Sequence, residues 1–339
     1  MKFKVLVVDD SHFMRRAISH ILEADGRFEV VATASDGAMA IQKAANLLPD
    51  VITMDYNMPI LNGVEAVRRI VADLAIPIVM VSAHTTEGAR QTVDALQAGA
   101  VDFITKPSGE VSTDISLAGD LLVERVWAAA SVDHKRLVPR PRAAPILVPR
   151  VAAIGKKVVV IAVSTGGPAA LSAFLPALPR RSAMALVIVQ HMPAAFTGTL
   201  AERLDRIATI KVQEAKEGDR PVPGTALVAP GGRHLEFAPD GCIHLSTSEP
   251  VNGCRPSADV AMKSAAAVFG CDVVGVVMTG MGHDGTAGLV AIKQAGGATV
   301  AQDKASSLIF GMPRAAIERG VVDSVIPLDE LPRHLLQMK

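Results

Sequence analysis

Short apolar runs alternate with amphipathic stretches along most of the chain. Up to about residue 107 the runs are Val5–Val8, Val30–Ala34, Val51–Met54, Ile78–Val81 and Asp102–Thr105, with helix-like spacing over His12–Ala24 and Thr86–Ala98. Near-continuous apolar runs mark strands buried on both faces. Their alternation with helices predicts a parallel sheet covered on both sides. A last helix is expected over Thr113–Ala130, with Leu117, Leu121, Leu122, Val126 and Trp127 on one face. Periodicity then stops. Arg136 to Arg150 holds four prolines and four arginines and predicts an extended, semi-rigid linker. A second α/β pattern starts at Lys156, with apolar runs Val158–Val163, Ala185–Val189, Ala226–Ala229, Val273–Met278 and Ala298–Ala301. No fixed-period repeat is present.

A chain of 339 residues, half of them hydrophobic, can build two domains of ordinary size. The 34 Lys and Arg balance the 34 Asp and Glu, and no basic stripe stands out, so a nucleic-acid partner is not expected. The three cysteines, Cys242, Cys254 and Cys271, are odd in number and lack C-x-x-C spacing. They read as buried free thiols in a reducing compartment. Val5–Val8 is too short for a signal-peptide core, and no stretch has the length of a membrane span. The expectation is a soluble cytoplasmic protein with no membrane insertion.

Several chemistry-bearing residues end the first set of strands. Asp9 and Asp10 follow Val5–Val8, Asp55 follows Val51–Met54, Ser82 ends Val79-Met-Val-Ser, and Lys106 follows Asp102–Thr105. In parallel sheets, sites gather at the carboxyl ends of strands. Hard carboxylate oxygens suit Mg²⁺, and an Asp carboxylate can attack phosphorus to form an acyl phosphate. One such acid alone would read as a turn or helix cap; the set together does not. The stretches Val-Val-Asp9-Asp10, Met-Asp55-Tyr-Asn-Met-Pro59 with Gly63, Ser82-Ala83 and Phe103-Ile-Thr-Lys106-Pro107 resemble the receiver domain of two-component response regulators, over residues 1–125. The resemblance implies a flavodoxin-like fold and phosphorylation of Asp55 by a histidine kinase. It also implies Mg²⁺ on Asp9, Asp10, Asp55 and Asn57, and phosphoryl sensing by Ser82, Phe103 and Lys106.

The second pattern carries its own constellation. Val158–Val163 runs into Ser164-Thr-Gly-Gly-Pro168, a strand, sharp turn and helix, where a serine should be exposed beside backbone N–H groups. The G-x-S-x-G elbow is only partly matched, because Ala162 stands at its first position. Ala185–Gln190 ends in His191, and Val273–Met278 runs into Thr279-Gly-Met-Gly-His-Asp284-Gly285. Serine, histidine and aspartate at three strand ends suit nucleophile, base and orienter. Gly280-Met-Gly282-His-Asp-Gly285 also matches a dinucleotide-binding fingerprint, with Asp303 18 residues past Gly285. A carboxylate inside the pyrophosphate turn, late in its domain, argues against that reading.

Five motifs together resemble the catalytic domain of chemotaxis protein-glutamate methylesterases. They are Ser164-Thr-Gly-Gly-Pro, Val-Gln-His191-Met-Pro, Cys-Arg255-Pro-Ser257-Ala-Asp259-Val, Thr-Gly-Met281-Gly-His-Asp284-Gly and Phe310-Gly-Met-Pro313-Arg-Ala-Ala-Ile317. The resemblance implies a Rossmann-like α/β catalytic domain over 157–339, joined to the receiver by a helix end and linker at 126–156. It implies a Ser164–His191–Asp284 triad, with Thr165 close by and the Met281 N–H serving the oxyanion. No cofactor is implied for the esterase. The substrates implied are methyl-accepting chemoreceptors, demethylated at glutamate and deamidated at glutamine, with phosphorylation relieving cover of the esterase by the receiver. The chain carries Ala162-Val163 where the family has Gly-Ala, which adds bulk at the turn and spares the reacting groups. The competing expectations are a non-catalytic, partner-binding output domain and a dinucleotide-binding oxidoreductase built on Gly280, Gly282 and Gly285.

Overall fold

The computed structural model describes residues 2–82, 86–106, 113–134, 137, 157–180 and 182–338. Ala83, Pro107, Lys156 and nearly all of the expected linker at 136–150 lie outside the described residues. The chain divides into two compact units, Met1–Arg140 and Pro141–Lys339.

The first unit contains, in chain order, β1 (Phe3–Val8), α1 (His12–Asp25), β2 (Phe28–Ala34), α2 (Gly37–Leu47), β3 (Val51–Asp55), α3 (Gly63–Leu74), β4 (Ile78–Ser82), α4 (Thr86–Ala98), β5 (Asp102–Thr105) and α5 (Thr113–Ala130). Its five strands form one parallel sheet in the order β2-β1-β3-β4-β5, the flavodoxin-like winding. Val5 to Val8, Ile52, Met54 and Ile78 to Val81 are buried, which explains why their strands are apolar without alternation. Polar side chains start the helices. Ser11 Oγ, Asp36 Oδ1 and Asn62 Oδ1 accept from Met14, Met39 and Glu65 N–H, so each satisfies a donor that the first turn leaves unpaired.

The buried face of α5 differs from the expected one. Leu122, Val126 and Ala129 are buried, whereas Leu121 and Trp127 each remain 39% exposed. Positions 122, 126 and 129 follow the helical repeat, and 121 and 127 lie to either side of that stripe. The Arg27 guanidinium covers Trp127 at 5.5 Å from the ring centroid.

The second unit contains β6 (Lys157–Val163), α6 (Gly167–Phe174), β7 (Met184–Gln190), α7 (Ala194–Ile207), β8 (Lys211–Glu214), β9 (Thr225–Val228), β10 (His234–Phe237), β11 (Ile243–Ser246), α8 (Ala258–Phe269), β12 (Val273–Val277), α9 (Thr286–Gln294), β13 (Ala298–Gln302), α10 (Met312–Glu318), β14 (Ser324–Ile326) and α11 (Leu331–Gln337). Seven strands form a parallel sheet in the order β14-β13-β12-β6-β7-β9-β8. The apolar pattern anticipated the five central strands. The edges β8 and β14 escaped it because they are short and half exposed, with Val212 the one fully buried residue of β8. The antiparallel hairpin β10–β11 also escaped it. Its Leu235, Phe237 and Ile243 pack with Ala258, Ala261, Met262 and Ala265 of α8.

The same topological rule places both sites. In the first sheet the winding reverses between β1 and β3, and in the second between β6 and β12. Loops leaving the carboxyl ends of such neighbours diverge and open a crevice between them. The cysteines are free but not buried: Cys242 and Cys254 are half-buried and Cys271 is exposed. All three sit in turns or a short 3₁₀ segment outside the main strands and helices. Among the described residues, no helix is long and apolar enough to cross a membrane.

Candidate functional site

At the β1/β3 crevice, carboxylate oxygens of Asp9, Asp10 and Asp55 lie within 4.8 Å of one another. Lys106 Nζ bridges two of these acids, at 2.8 Å from Asp9 Oδ2 and 3.0 Å from Asp55 Oδ1. The Arg15 guanidinium ties down the backbone by donating to the Asp9 and Asp10 carbonyls. Ser82, one residue beyond the β4 partner of Asp55, is buried, and its hydroxyl donates to the Gly88 carbonyl at 3.3 Å. Phe103 is buried within β5, and Asn57 lies exposed on the loop after β3. Gly63 is required here, because a Cβ would come 2.2 Å from the Asp55 carbonyl oxygen.

Burial pushes the Asp55 carboxyl up to about 6; Lys106 pulls the other way, and Asp9 adds repulsion. One lysine therefore does not neutralise this cluster. Hard oxygen donors with excess negative charge fit a divalent cation such as Mg²⁺.

The second crevice is assembled by β6 and its two neighbours. Ser164 leaves β6, His191 leaves β7, and the loop carrying Asp284 leaves β12, all at the same edge. Backbone hydrogen bonds extend the sheet into these loops. His191 N donates to Val163 O at 3.0 Å, Met278 N to Ala162 O at 2.9 Å, and Ser164 N to Thr279 O at 3.0 Å. The buried Gln190 amide donates to the Ser164 carbonyl at 3.0 Å, fixing the turn from the neighbouring strand.

Ser164 is only 4% exposed, against the expectation of an open turn. Two glycines let other loops close over it. A Cβ on Gly280 would sit 2.7 Å from Ser164 Cβ, and one on Gly166 would sit 2.9 Å from Leu308 side-chain atoms. Gly166 also adopts φ +77, at the start of α6. Ala162 faces Gly285, where a Cβ would come 3.1 Å from its methyl, so the missing side chain at 285 makes room for it.

Asp284 is held by donors on every side. Oδ1 accepts from Ser257 Oγ at 2.6 Å, Asn252 Nδ2 at 3.1 Å and Asp259 N at 3.2 Å. Oδ2 accepts from Ala258 N at 2.6 Å and meets His191 Nε2 at 2.7 Å. The carboxylate thus caps the first turn of α8, where unpaired N–H groups and the helix dipole favour negative charge. Burial opposes ionisation, but the His191, Ser257 and Ala258 hydrogen bonds prevail and keep the Asp284 carboxyl well below the usual range. An ionised Asp284 requires the proton on His191 Nε2 and leaves Nδ1 as the basic nitrogen. Burial would hold the imidazole down, but Asp284 and the neighbouring Cys254 sulfur push it up to about 9.

Among the described residues, neither the Ser164 hydroxyl nor the Met281 N–H makes a hydrogen bond. Thr165 is buried behind the serine, its carbonyl accepting from Thr279 Oγ1 at 3.0 Å. A serine, a histidine oriented by a buried carboxylate, and a free N–H on the adjacent loop can perform acyl transfer. The dinucleotide alternative loses its binding turn, because Asp284 occupies it and points into α8 and His191. Sequence reasoning missed Asn252 and His234. Gln190, Ser257 and Asp259 lay in its motifs without a role. His234, fully buried, accepts from Ser257 N at 3.1 Å through Nδ1 and so fixes the segment that holds Asp284. The one available signal was Asn252-Gly253, a dipeptide typical of tight turns.

Fold and site geometry thus define a receiver unit and a parallel α/β hydrolase unit in one chain. The family model described as response regulator receiver domain matches residues 5–113, and that described as CheB methylesterase matches residues 159–335. The chain belongs to the CheB methylesterase family. A protein-glutamate methylesterase/protein-glutamine glutaminase of Halalkalibacterium halodurans is 45% identical over 334 residues, 97% of this chain and 96% of that protein. A relative of the same name from Thermotoga maritima is 41% identical over 338 residues, covering 99% and 98%. The crystal structure of the Thermotoga maritima CheB methylesterase catalytic domain matches 54% of this chain and 99% of its own, at 40% identity and TM-score 0.52.

Proposed function

We propose that this chain is a phosphorylation-activated serine esterase that hydrolyses glutamate γ-methyl esters on methyl-accepting chemoreceptors and deamidates their glutamines. The observation that carries the reading is the 2.7 Å contact of His191 Nε2 with an Asp284 carboxylate buried in donors, one strand away from Ser164. Ser164 Oγ attacks the γ-carbonyl, and its proton passes to His191 Nδ1. Asp284 stabilises the imidazolium, and the Met281 N–H faces the oxyanion, with Thr165 supporting the turn. His191 returns the proton to the leaving methanol. Water, deprotonated by the same nitrogen, then attacks the acyl-enzyme and releases glutamate and Ser164. With glutamine as substrate the leaving group is ammonia. This path uses no cofactor.

In the receiver at 1–125, Asp55 accepts the phosphoryl group from a chemotaxis histidine kinase. Asp9, Asp10, Asp55 and Asn57 hold Mg²⁺, which when bound offsets charge on the transferring group. Ser82, Lys106 and Phe103 respond to phosphorylation, and the catalytic segment 157–339 receives the signal across 126–156. The site of action is the cytoplasm, where receptor helices and kinase meet. Methanol release from methylated receptor, with and without a small phosphodonor, tests the proposal. Ser164→Ala is expected to lose activity on the order of 10³-fold or more. Asp55→Ala is expected to keep basal activity and lose stimulation. Full activity in Ser164→Ala refutes the assignment.

A further inference from the structure

Cys254 has no part in the mechanism above, yet it faces the base. It closes a tight turn in which Val251 and Cys254 exchange both backbone hydrogen bonds, at 3.1 and 2.9 Å. Asn252 and Gly253 between them have φ of 54° and 72°, the left-handed pair of a type I′ turn. The turn sends two side chains toward one point. Asn252 reaches Asp284 Oδ1, and Cys254 brings its sulfur beside His191. One ligand atom each from His191, Cys254 and Asp284 lies within 4.8 Å of the other two.

We infer that these three side chains form an inhibitory site for a thiophilic divalent cation, Zn²⁺ above all, that switches the esterase off. The inference rests on the proposed role of His191. Nitrogen, thiolate and carboxylate donors are the set zinc takes, with a water completing the tetrahedron. Tetrahedral bond lengths put such donors roughly 3.3–3.6 Å apart. The His191–Asp284 pair at 2.7 Å must open by somewhat under 1 Å, and Cys254 must close by up to about 1 Å. The short turn can supply that movement, since Cys254 is half-buried and, among the described residues, its thiol is otherwise held only by a 3.6 Å contact to the Asn252 carbonyl. Asp284 keeps Oδ1 on Ser257 and Asn252 while Oδ2 turns to the metal. Binding displaces the Cys254 thiol proton and the proton shared by His191 and Asp284. The metal holds Nε2, so the neutral imidazole carries its one proton on Nδ1 and cannot take the Ser164 proton. The receiver cluster of Asp9, Asp10 and Asp55 offers oxygen alone and should prefer harder cations.

Titration of the metal-free full chain with Co²⁺ tests the site independently of catalysis. Wild type and Ser164→Ala should both show one equivalent of thiolate-to-cobalt charge-transfer absorption, abolished by excess Zn²⁺. Cys254→Ser should lack the band, while Cys242→Ser and Cys271→Ser keep it. In methanol release, with each variant compared with its own metal-free rate, Cys254→Ser should need at least about tenfold more Zn²⁺ for half inhibition. Absence of the band in wild type, its persistence in Cys254→Ser, or equal zinc sensitivity of the two overturns the inference. A cobalt band in a wild-type protein that releases no methanol would leave the metal site standing and refute the esterase reading instead.

Discussion

Replacing Asp284 by asparagine probes the whole logic of the hydrolase site. All five partners of this carboxylate are hydrogen-bond donors. An amide can accept on one side only. The least costly arrangement keeps its oxygen toward Ser257, Asn252 and Asp259 and turns its NH₂ toward His191 and Ala258 N. The Ala258 N–H is then unpaired, which costs about 1–3 kcal/mol of stability. His191 responds by accepting at Nε2 and carrying its proton on Nδ1, so the nitrogen facing outward is no longer a base. The loss in kcat should be on the order of 10³–10⁴, as expected for a histidine locked in the wrong tautomer. In the wild type, moving His191 from 6.5 to about 9 corresponds to roughly 3 kcal/mol in favour of the imidazolium. The neutral base is therefore gained only as pH rises, and kcat/KM should climb through an inflection near about pH 9 and level above it. Stability runs the other way. The raised His191 contributes fully below pH 6.5 and loses that contribution as pH rises through about 9. The depressed Asp284 contributes above 3.8 and is lost as pH falls below that value. Methanol release and thermal unfolding, each measured across this range for wild type and Asp284→Asn, give the answer. An asparagine variant within about tenfold of wild-type kcat/KM, or one with the same alkaline inflection, would refute the assignment of His191 and Asp284 as base and orienter.

Three further outcomes are expected. Ser257→Ala removes the 2.6 Å donor to Asp284 and should lower kcat by about tenfold with a loss of roughly 1 kcal/mol, read by methanol release and urea unfolding. Gly280→Ala places a Cβ 2.4 Å from Met312 Sδ and 2.7 Å from Ser164 Cβ, so it should cost about 1–3 kcal/mol and displace the serine, seen as lost kcat with a lowered Tm. Moving Asp55 from 3.8 to about 6 corresponds to roughly 3 kcal/mol against its ionised form. Because that pKa is raised, the strain appears as pH climbs above 3.8 and is complete beyond about 6. Mg²⁺ should therefore raise Tm of the receiver transition at pH 7.5 more than at about pH 5, and Asp55→Asn should raise it without metal. Equal Mg²⁺ effects at both pH values would contradict the electrostatic account.

Linear order alone determined the central strands and the residues at their ends. Parallel strands buried on both faces must be apolar throughout, so Val158–Val163 or Val273–Val277 announce themselves, and polar residues just beyond them mark the loops at one sheet edge. Ser164, His191, Asp284, Asp9, Asp10, Asp55 and Lys106 were legible on that ground. The edges β8 and β14 and the hairpin β10–β11 were not, because short, half-exposed strands carry no continuous apolar signal. The stripe of α5 was misplaced for a related reason, since Leu121 and Trp127 are apolar yet lie beside the buried line. Tertiary structure alone decided how deeply Ser164 is covered, which nitrogen of His191 is basic, and why Asp284 stays ionised. Those properties come from Gly280, Asn252, Ser257 and the first turn of α8, brought together by the reversal of winding between β6 and β12. The same convergence set Cys254 beside His191. Such contacts depend on packing between segments distant in sequence, and local periodicity carries no record of them.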